Sequence, residues 1–311
     1  MNFKNQLLFC WTIIFLLGLT IFYQLSKPTT GKTKPYIICT TSIIADALKN
    51  IARDKVELVT LMGPGIDPHL YKPVESDIFK ISSADIIFYN GLHLEAKLVH
   101  LFEHLAQTQT TIAVTKNIPQ SKLLRVSDFE NIFDPHIWFD IHLWIIVVET
   151  ICQELIKKYP EDTIFYKKNM EQYKKELHKL QQQTHAIMST IPANKRVIIT
   201  GHDAFSYFAR QHDCSVIGLQ GISTESSPGA YDLQKIISII CKQNIPAIFI
   251  ETSIPIKNIL AIQEGVAAYN KQVNLGGEIY SDALGPENSP GDTYIKMMLH
   301  NTQTIALALT C

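Results

Sequence analysis

The feature that most constrains the fold is a regular alternation of strand-like and helix-like segments that begins near Pro35. In the first half, short apolar runs typical of buried strands cover residues 36–41, 56–62, 85–90 and 111–114. Segments with helical spacing lie at residues 43–52, 75–82 and 94–107, followed by a longer one at 142–159 that Pro160 ends. Such an alternation predicts a parallel sheet covered by helices.

The second half repeats this alternation. Its strand-like runs cover residues 196–200, 215–219, 247–251 and 273–276, with a further apolar pair at 279–280. Helical segments are expected at residues 204–211, 231–243, 256–270 and 292–309. We therefore predict an α/β protein with two parallel-sheet lobes, and the length of the chain fits two domains.

A polar stretch without Gly or Pro, residues 162–189, separates the two halves. Its apolar positions recur near helical spacing, so it is either an ordinary amphipathic surface helix or a long connector between domains. The alternation on both sides favours the connector, and a continuous helix would make it stiff. We predict an N-terminal lobe at residues 35–160, a connecting helix at 161–191 and a C-terminal lobe at 192–311.

Residues 1–34 have the pattern of a targeting segment and linker. Lys4 precedes an uncharged, mainly apolar run over residues 5–26, and the next charge is Lys27. This order is typical of a signal sequence, but the run is also long enough to span a bilayer and no Ala-x-Ala cleavage pattern precedes Lys27. A cleaved signal and an uncleaved membrane anchor both stay open. Either one predicts that the rest of the chain lies outside the cytoplasm.

Charge and cysteine content exclude two kinds of site. Charged residues make up 18% of the chain and the formal net charge is −1, so no basic surface for nucleic acid is indicated. The six cysteines contain no Cys-x-x-Cys pair, which argues against a thiolate zinc site. Cys214 and Cys241 lie in the same half and are able to form a disulfide, but the sequence leaves their pairing open.

Two identical tripeptides, Asp-Pro-His, place histidines beside apolar segments. The first ends at His69, in a turn rich in Gly and Pro after the strand-like run 56–62, and the second ends at His136. A rigid turn holds a side chain in one orientation, as a metal ligand requires. The repetition suggests that the two histidines reach a common point.

Two further candidate ligands follow strands of the second half. His202 comes directly after the run 196–200, and Asp282 lies in the loop after the pair 279–280. In open α/β sheets, ligands bind beyond the carboxyl ends of the strands. His69, His136, His202 and Asp282 all occupy that kind of position.

Other polar residues near these motifs have simpler interpretations. Asp67 and Asp134, each just before a proline, are expected to brace their turns, and a hydrogen bond to a ligand histidine stays open. His100 and His104 are spaced four apart on a helical segment and so have a metal-binding spacing. We nevertheless expect them on a solvated helix face.

Together these motifs resemble one known family, the TroA-like metal-specific solute-binding proteins of ABC importers. The family's metal ligands fall on His69, His136, His202 and Asp282. The resemblance covers residues 36–309 and rests on Gly-Pro-Gly-Ile-Asp-Pro-His at 63–69, Gly-Leu and Leu-Glu at 91–95, Asp-Pro-His-Ile-Trp-Phe-Asp at 134–140, Thr-Gly-His-Asp-Ala-Phe at 200–205, Gly-Ile-Ser-Thr-Glu at 221–225, and the stretches 280–285 and 294–301.

The resemblance implies two α/β lobes, a long rigid helix between them and a metal in the interlobe cleft. It also implies capture of one divalent transition metal as cargo, either zinc or manganese, with iron as a further option. The expected partners are the membrane permease of an ABC importer and its cytoplasmic ATPase. We expect a periplasmic monomer whose N-terminal segment contacts the membrane.

The chain departs from parts of the family pattern. Zinc-dedicated relatives often carry a His-rich loop before the second Asp-Pro-His, whereas residues 115–133 contain no histidine. Some manganese-dedicated relatives have glutamate where this chain has His202, so the physiological metal stays open. The lipid-attachment cysteine common in Gram-positive relatives is missing, which favours a periplasmic location.

Three classes of function fit an exported metal site: a capture protein of an importer, a zinc-dependent hydrolase and a metal-stabilised surface adhesin. A hydrolase would leave one coordination position open for water. Here a carboxylate fills the fourth position, and neither His-Glu-x-x-His nor Gly-x-Ser-x-Gly occurs. An adhesin would not need a site between two lobes. We therefore expect a binding protein and not an enzyme.

Overall fold

The computed structural model describes residues 34–126 and 132–310. The predicted signal or anchor lies outside these residues. Within them, no helix combines the length and the apolar character that crossing a membrane requires. From Pro35 onward the chain forms one compact unit, so the predicted domain boundaries at residues 160 and 191 stay a prediction.

The first half contains a four-stranded parallel sheet. Its strands lie in the order β2-β1-β3-β4, and Ile38 in the central strand pairs with Val59 on one side and Ile87 on the other. The strands are β1 (Tyr36–Thr41), β2 (Glu57–Met62), β3 (Ile86–Tyr89) and β4 (Thr111–Ala113). The helices between them are α1 (Ser42–Ala52), α2 (Glu75–Ser83) and α3 (Val99–Leu105).

The second half has two pairs of parallel strands, β5-β6 and β7-β8, with β5 and β7 adjacent. Read across, the order β6-β5-β7-β8 repeats the order of the first half. These strands are β5 (Val197–His202), β6 (Ser215–Gln220), β7 (Ala247–Glu251) and β8 (Asn274–Ile279). The prediction of an α/β fold with parallel sheets is confirmed.

Two long helices precede the second half, α4 (Ile141–Lys158) and α5 (Thr163–Met188). The helices that follow are α6 (Ser206–His212), α7 (Ala230–Gln243), α8 (Lys257–Ala267) and α9 (Tyr294–Thr310). The 26-residue α5 packs against α1 and α4 on one side and against α9 on the other. One hydrophobic core therefore runs through both halves, and it includes Ile37, Leu177 and Met297.

Two local predictions were wrong. The helix expected at residues 94–107 is shorter: a 3₁₀ turn at Ala96–Leu98 is followed by α3, and Leu92 and His93 before them take left-handed backbone conformations. The runs 273–276 and 279–280 belong to one strand, β8, whose pairing with β7 is irregular near Ile250.

The four cysteines that the structure describes are free thiols. Among them are Cys214 and Cys241, whose pairing the sequence left open. Burial raises the pKa of the Cys214 thiol to about 11, so this thiol is a poor nucleophile at neutral pH.

A buried carboxyl group joins α1 to the long helix α5. The hydroxyl group of Tyr173 in α5 donates a 3.0 Å hydrogen bond to Asp46 in α1, which also accepts one from Asn50. Burial raises the pKa of Asp46 from 3.8 to about 6, although the Tyr173 hydrogen bond opposes that shift. The folded state therefore holds a proton on Asp46 that the unfolded chain releases at lower pH.

We expect Asp46→Asn to stabilise the folded protein above pH 6, by up to about 3 kcal/mol. Ionising Asp46 costs the folded state more than the unfolded state, so this destabilisation grows as the pH rises from about 4 to 6. Asparagine keeps an acceptor for Tyr173 without carrying a charge. Urea unfolding of both proteins from pH 4 to 8 measures the difference, which should vanish near pH 4. A difference independent of pH would contradict this assignment.

Candidate metal centre

His69 is delivered by the Gly- and Pro-rich turn after β2. The Asp67 carboxylate accepts the backbone N–H of His69 at 2.9 Å, which fixes the end of the turn. Gly65 has a φ of +69°, a conformation that side chains other than glycine rarely adopt, so the turn needs glycine there. The imidazole of His69 is buried.

His136 is held by its own Asp-Pro-His turn. One oxygen of Asp134 accepts the backbone N–H of His136 at 2.9 Å and lies 2.7 Å from its Nδ1. The carbonyl groups of this turn are held as well, by the amide of Asn90 on Pro135 and by the hydroxyl group of Tyr207 on Asp134, each at 3.0 Å. Asp134 therefore does both things expected of it: it braces the turn, and it directs Nε2 of His136 toward the site.

His202 is the last residue of β5, and Glu251 at the end of the neighbouring β7 holds it. One Glu251 oxygen accepts the backbone N–H of His202 at 2.9 Å, and the other lies 2.6 Å from Nδ1. The strands fit closely here: a Cβ on Gly218 of β6 would lie 2.4 Å from the backbone nitrogen of Asp203. Sequence reasoning missed Glu251, although an acidic residue closing an apolar strand was a usable signal.

Asp282 lies in the loop after β8 and reaches two of the histidines. Its Oδ1 is 3.4 Å from Nε2 of His136, and its Oδ2 is 3.4 Å from Nε2 of His202. The hydroxyl group of Ser253 donates a 3.3 Å hydrogen bond to Oδ2. The indole N–H of Trp138 binds the backbone oxygen of the adjacent Ser281 at 2.9 Å and so ties this loop to the His136 segment.

The structure thus brings together the four residues that the sequence singled out. Nε2 of His69 and Nε2 of His136 are 3.3 Å apart, and one potential ligand atom from each of the four residues lies within 4.8 Å of the others. Ligand atoms about 2.0–2.1 Å from a tetrahedral zinc ion would be about 3.4 Å apart. Nε2 of His202 and Oδ1 of Asp282 are buried and make no hydrogen bond within the described residues. A cation would satisfy both atoms.

Electrostatics differ among the three histidines. Burial lowers the pKa of His69 to about 3. Burial acts in the same direction on His136, but Asp134 and Asp282 outweigh it and raise the pKa to about 9. Glu251 and Asp282 likewise overcome burial and hold the pKa of His202 well above its usual range. A metal ion must therefore displace protons at this site.

Asp282 responds in the opposite sense. Burial alone would raise its pKa, but His202 and His136 outweigh burial and hold the pKa well below its usual range. The carboxylate stays ionised in a fully buried position. It is therefore available as an anionic ligand at neutral pH.

The histidine pair on α3 lies in solvent, as predicted. His100 is 98% exposed and lies 3.4 Å from the Glu103 carboxylate. The only group of metal-ligating side chains found among the described residues is the buried one, which does not include His100 or His104.

Comparison with known proteins places the chain in a family. The model of the family described as "ZnuA: Zinc-uptake complex component A periplasmic" matches residues 37–308. The chain belongs to this family. The resemblance predicted from the motifs is thereby confirmed.

Similar proteins have names that specify different metals. The zinc-binding protein TroA of Treponema pallidum is 42% identical over 284 residues, which cover 91% of this chain and 92% of that protein. The manganese-binding lipoprotein MntA of Bacillus subtilis is 40% identical over 273 residues, covering 88% and 89%. The Streptococcus pneumoniae PsaA, a manganese ABC transporter substrate-binding lipoprotein, is 30% identical over 289 residues, covering 91% of each.

Solved structures agree with these relationships. The periplasmic zinc-binding protein TroA of Treponema pallidum superposes with a TM-score of 0.87 at 42% identity and covers 89% of this chain and 99% of that one. A manganese-bound periplasmic metal-binding protein of Candidatus Liberibacter asiaticus gives 0.77 at 25% identity, covering 89% and 100%. Members of this fold family thus bind either metal.

We expect Glu251→Gln to lower the pKa of His202 in the metal-free protein. The substitution removes a negative charge 2.6 Å from Nδ1 while leaving the burial of the ring unchanged. NMR titration of the histidine ring signals measures this shift. Glu264→Gln is the control, because Glu264 is an exposed carboxylate in α8 and is not a member of the buried four-residue group. An unchanged His202 pKa would show that Glu251 does not control its charge.

Proposed function

We propose that this protein captures a divalent transition metal outside the cytoplasm and delivers it to the membrane permease and ATPase of an ABC importer. The convergence of three imidazoles and one carboxylate, all buried, carries this proposal. Among the relatives named above, TroA is a zinc-binding protein, MntA is a manganese-binding lipoprotein and PsaA is a substrate-binding lipoprotein of a manganese ABC transporter, which supports the same role. In this role the metal is cargo, and His69, His136, His202 and Asp282 are its ligands.

The donor set suits zinc and manganese and does not exclude ferrous iron. At a site of nitrogen and oxygen donors, affinity alone ranks zinc above iron and iron above manganese. Each oxygen of Asp282 faces a different histidine, so this carboxylate is placed to bind through one oxygen or through both. Elemental analysis of protein purified from its native compartment, without added metal, identifies the physiological cargo.

We propose that the site binds metal without catalysis. The four side chains fill a tetrahedral set, whereas a hydrolytic zinc site keeps a position for water. Tight, reversible metal binding without turnover of ester or peptide substrates distinguishes the two functions. Neighbouring genes for a permease and an ATPase would distinguish an importer from an adhesin. We further propose that the protein is a periplasmic monomer. Its N-terminal segment either directs export or anchors the protein to the membrane.

Removing a ligand should weaken metal binding by orders of magnitude and abolish most of the metal-induced rise in melting temperature. Binding to the native state alone adds directly to folding stability, so both effects share one cause. We expect this for His202→Ala and for Asp282→Ala. The second substitution also removes the anionic ligand and should disfavour manganese more than zinc. Calorimetry of zinc and manganese binding, with thermal melts, measures each effect.

The matched control is His100→Ala combined with His104→Ala. These two histidines lie on the exposed face of α3, so neither metal affinity nor the metal-induced stabilisation should change. The ligand assignment is wrong if the control variant loses the metal while His202→Ala and Asp282→Ala retain it.

Metal release should involve small local shifts and not a wide hinge opening. The reason is that α5 packs against helices of both halves over its length, so a large rotation would separate buried surfaces. Small-angle X-ray scattering of metal-free and metal-loaded protein compares their radii of gyration. A change of several ångströms would contradict the rigid-connector interpretation.

A further inference from the structure

The turn that carries His69 is held from the second half of the chain. Asp67 uses one carboxylate oxygen for the backbone N–H of His69, at 2.9 Å, and the other for the hydroxyl group of Thr224, at 2.6 Å. The turn also approaches the second half at Gly65, where an added Cβ would lie 3.6 Å from the backbone oxygen of Thr252. The position of His69 therefore depends on residues far away in the sequence.

Thr224 belongs to the loop between β6 and α7, which we term the 221–229 loop. The side-chain amide of Gln220 donates to the backbone oxygens of Thr224 at 3.3 Å and Ser226 at 2.8 Å, and this holds the loop in one shape. The next residue, Glu225, forms an ion pair with Lys97 in the first half. Two adjacent residues of the loop thus contact the first half, one through a buried hydroxyl group and one through a half-exposed charge.

His69 differs from the other two histidines in what holds it. Nδ1 of His136 faces Asp134 and Nδ1 of His202 faces Glu251, so each of those rings is fixed by a carboxylate of its own half. Among the described residues, the only carboxylate that hydrogen-bonds His69 is Asp67, and it binds the backbone. The hydrogen bond between Asp67 and Thr224 therefore links the turn that carries His69, in the first half, to the second half.

We propose that Thr224 is a positioning residue of the metal centre: through Asp67 it holds the His69 turn against the second half and so slows metal release. This inference rests on the proposed function, because it requires that His69 bind the cargo. The ion pair of Lys97 and Glu225 assists the same closure. Neither Thr224 nor Glu225 belongs to the four-residue group, so both act on the rate of release through the position of a ligand.

The two contacts differ in strength and in salt sensitivity. A hydroxyl group on an ionised carboxylate makes a strong hydrogen bond, and removing it leaves a carboxylate oxygen of Asp67 without that donor. The side chains of Lys97 and Glu225 are 43% and 40% exposed, so their attraction is weak and is screened by salt. The hydroxyl contact should therefore dominate, with the ion pair as a smaller, salt-dependent contribution.

The test is the rate at which zinc leaves the full-length protein, measured by stopped flow against excess chromophoric chelator. We expect Thr224→Val to speed release by about tenfold or more, because valine keeps the shape of threonine and removes only its hydroxyl group. Thr224→Ser restores the donor and should restore slow release. Ser227→Ala, in the same loop at an exposed position, is the control and should match the unmodified protein.

A purely structural role for Thr224 would give a different result. It would lower the melting temperature of the metal-free protein and leave the rate of zinc release unchanged, whereas a positioning role also speeds zinc release. Lys97→Met supplies a second readout at a half-exposed site. Release from the unmodified protein should accelerate with ionic strength, and this acceleration should be smaller in Lys97→Met.

The inference is overturned if the unmodified protein binds zinc and Thr224→Val releases it at the same rate. It is also overturned if Thr224→Ser releases zinc as fast as Thr224→Val. If Thr224→Val does not fold, Glu225→Gln and Lys97→Met provide the test instead. The proposed support between the two halves is contradicted if both variants release zinc at the rate of the unmodified protein at every salt concentration. If the unmodified protein does not bind zinc, manganese or ferrous iron, the proposed function fails instead.

Discussion

The rest of the structure depends on one electrostatic constraint: a carboxylate and three imidazoles are buried together where the two halves meet. Burial of this kind is unfavourable unless charges and hydrogen bonds compensate it. Asp134 and Glu251 supply that compensation to His136 and His202, and Asp282 lies within 3.4 Å of both rings. The ends of β5, β7 and β8 must therefore keep their spacing, since a shift of any one would leave a charge unpaired.

Most of the fold and the four candidate ligands were predictable from the sequence, for a physical reason. Apolar periodicity records which face of each element is buried, and loops after parallel strands meet at one edge of a sheet. The partners of Glu251 and Thr224 were not predictable in this way. These partners, His202 and Asp67, are 49 and 157 residues away, and no local pattern shows which strand or loop will lie beside which.

The long helix α5 shows the same limit on a smaller scale. Its apolar residue Ile164 is 86% exposed, while Tyr166 and the polar Asn169 are buried. The reason lies in another helix: the amide of Asn169 donates a 3.0 Å hydrogen bond to the carbonyl oxygen of Ile51 in the last turn of α1. That carbonyl has no partner inside its own helix, so a buried polar residue is favourable there.

The hydrophobic core shared around α5 has a consequence for how the protein unfolds and is degraded by proteases. Because α5 is covered by helices of both halves, neither half can lose its order while the other keeps its buried surface, and unfolding should be a single cooperative event. A protease that cleaves only the open chain then responds to the free energy of the whole molecule. A metal ion bound at the four-residue group would therefore protect every peptide bond of this core, and empty molecules would be degraded faster than loaded ones.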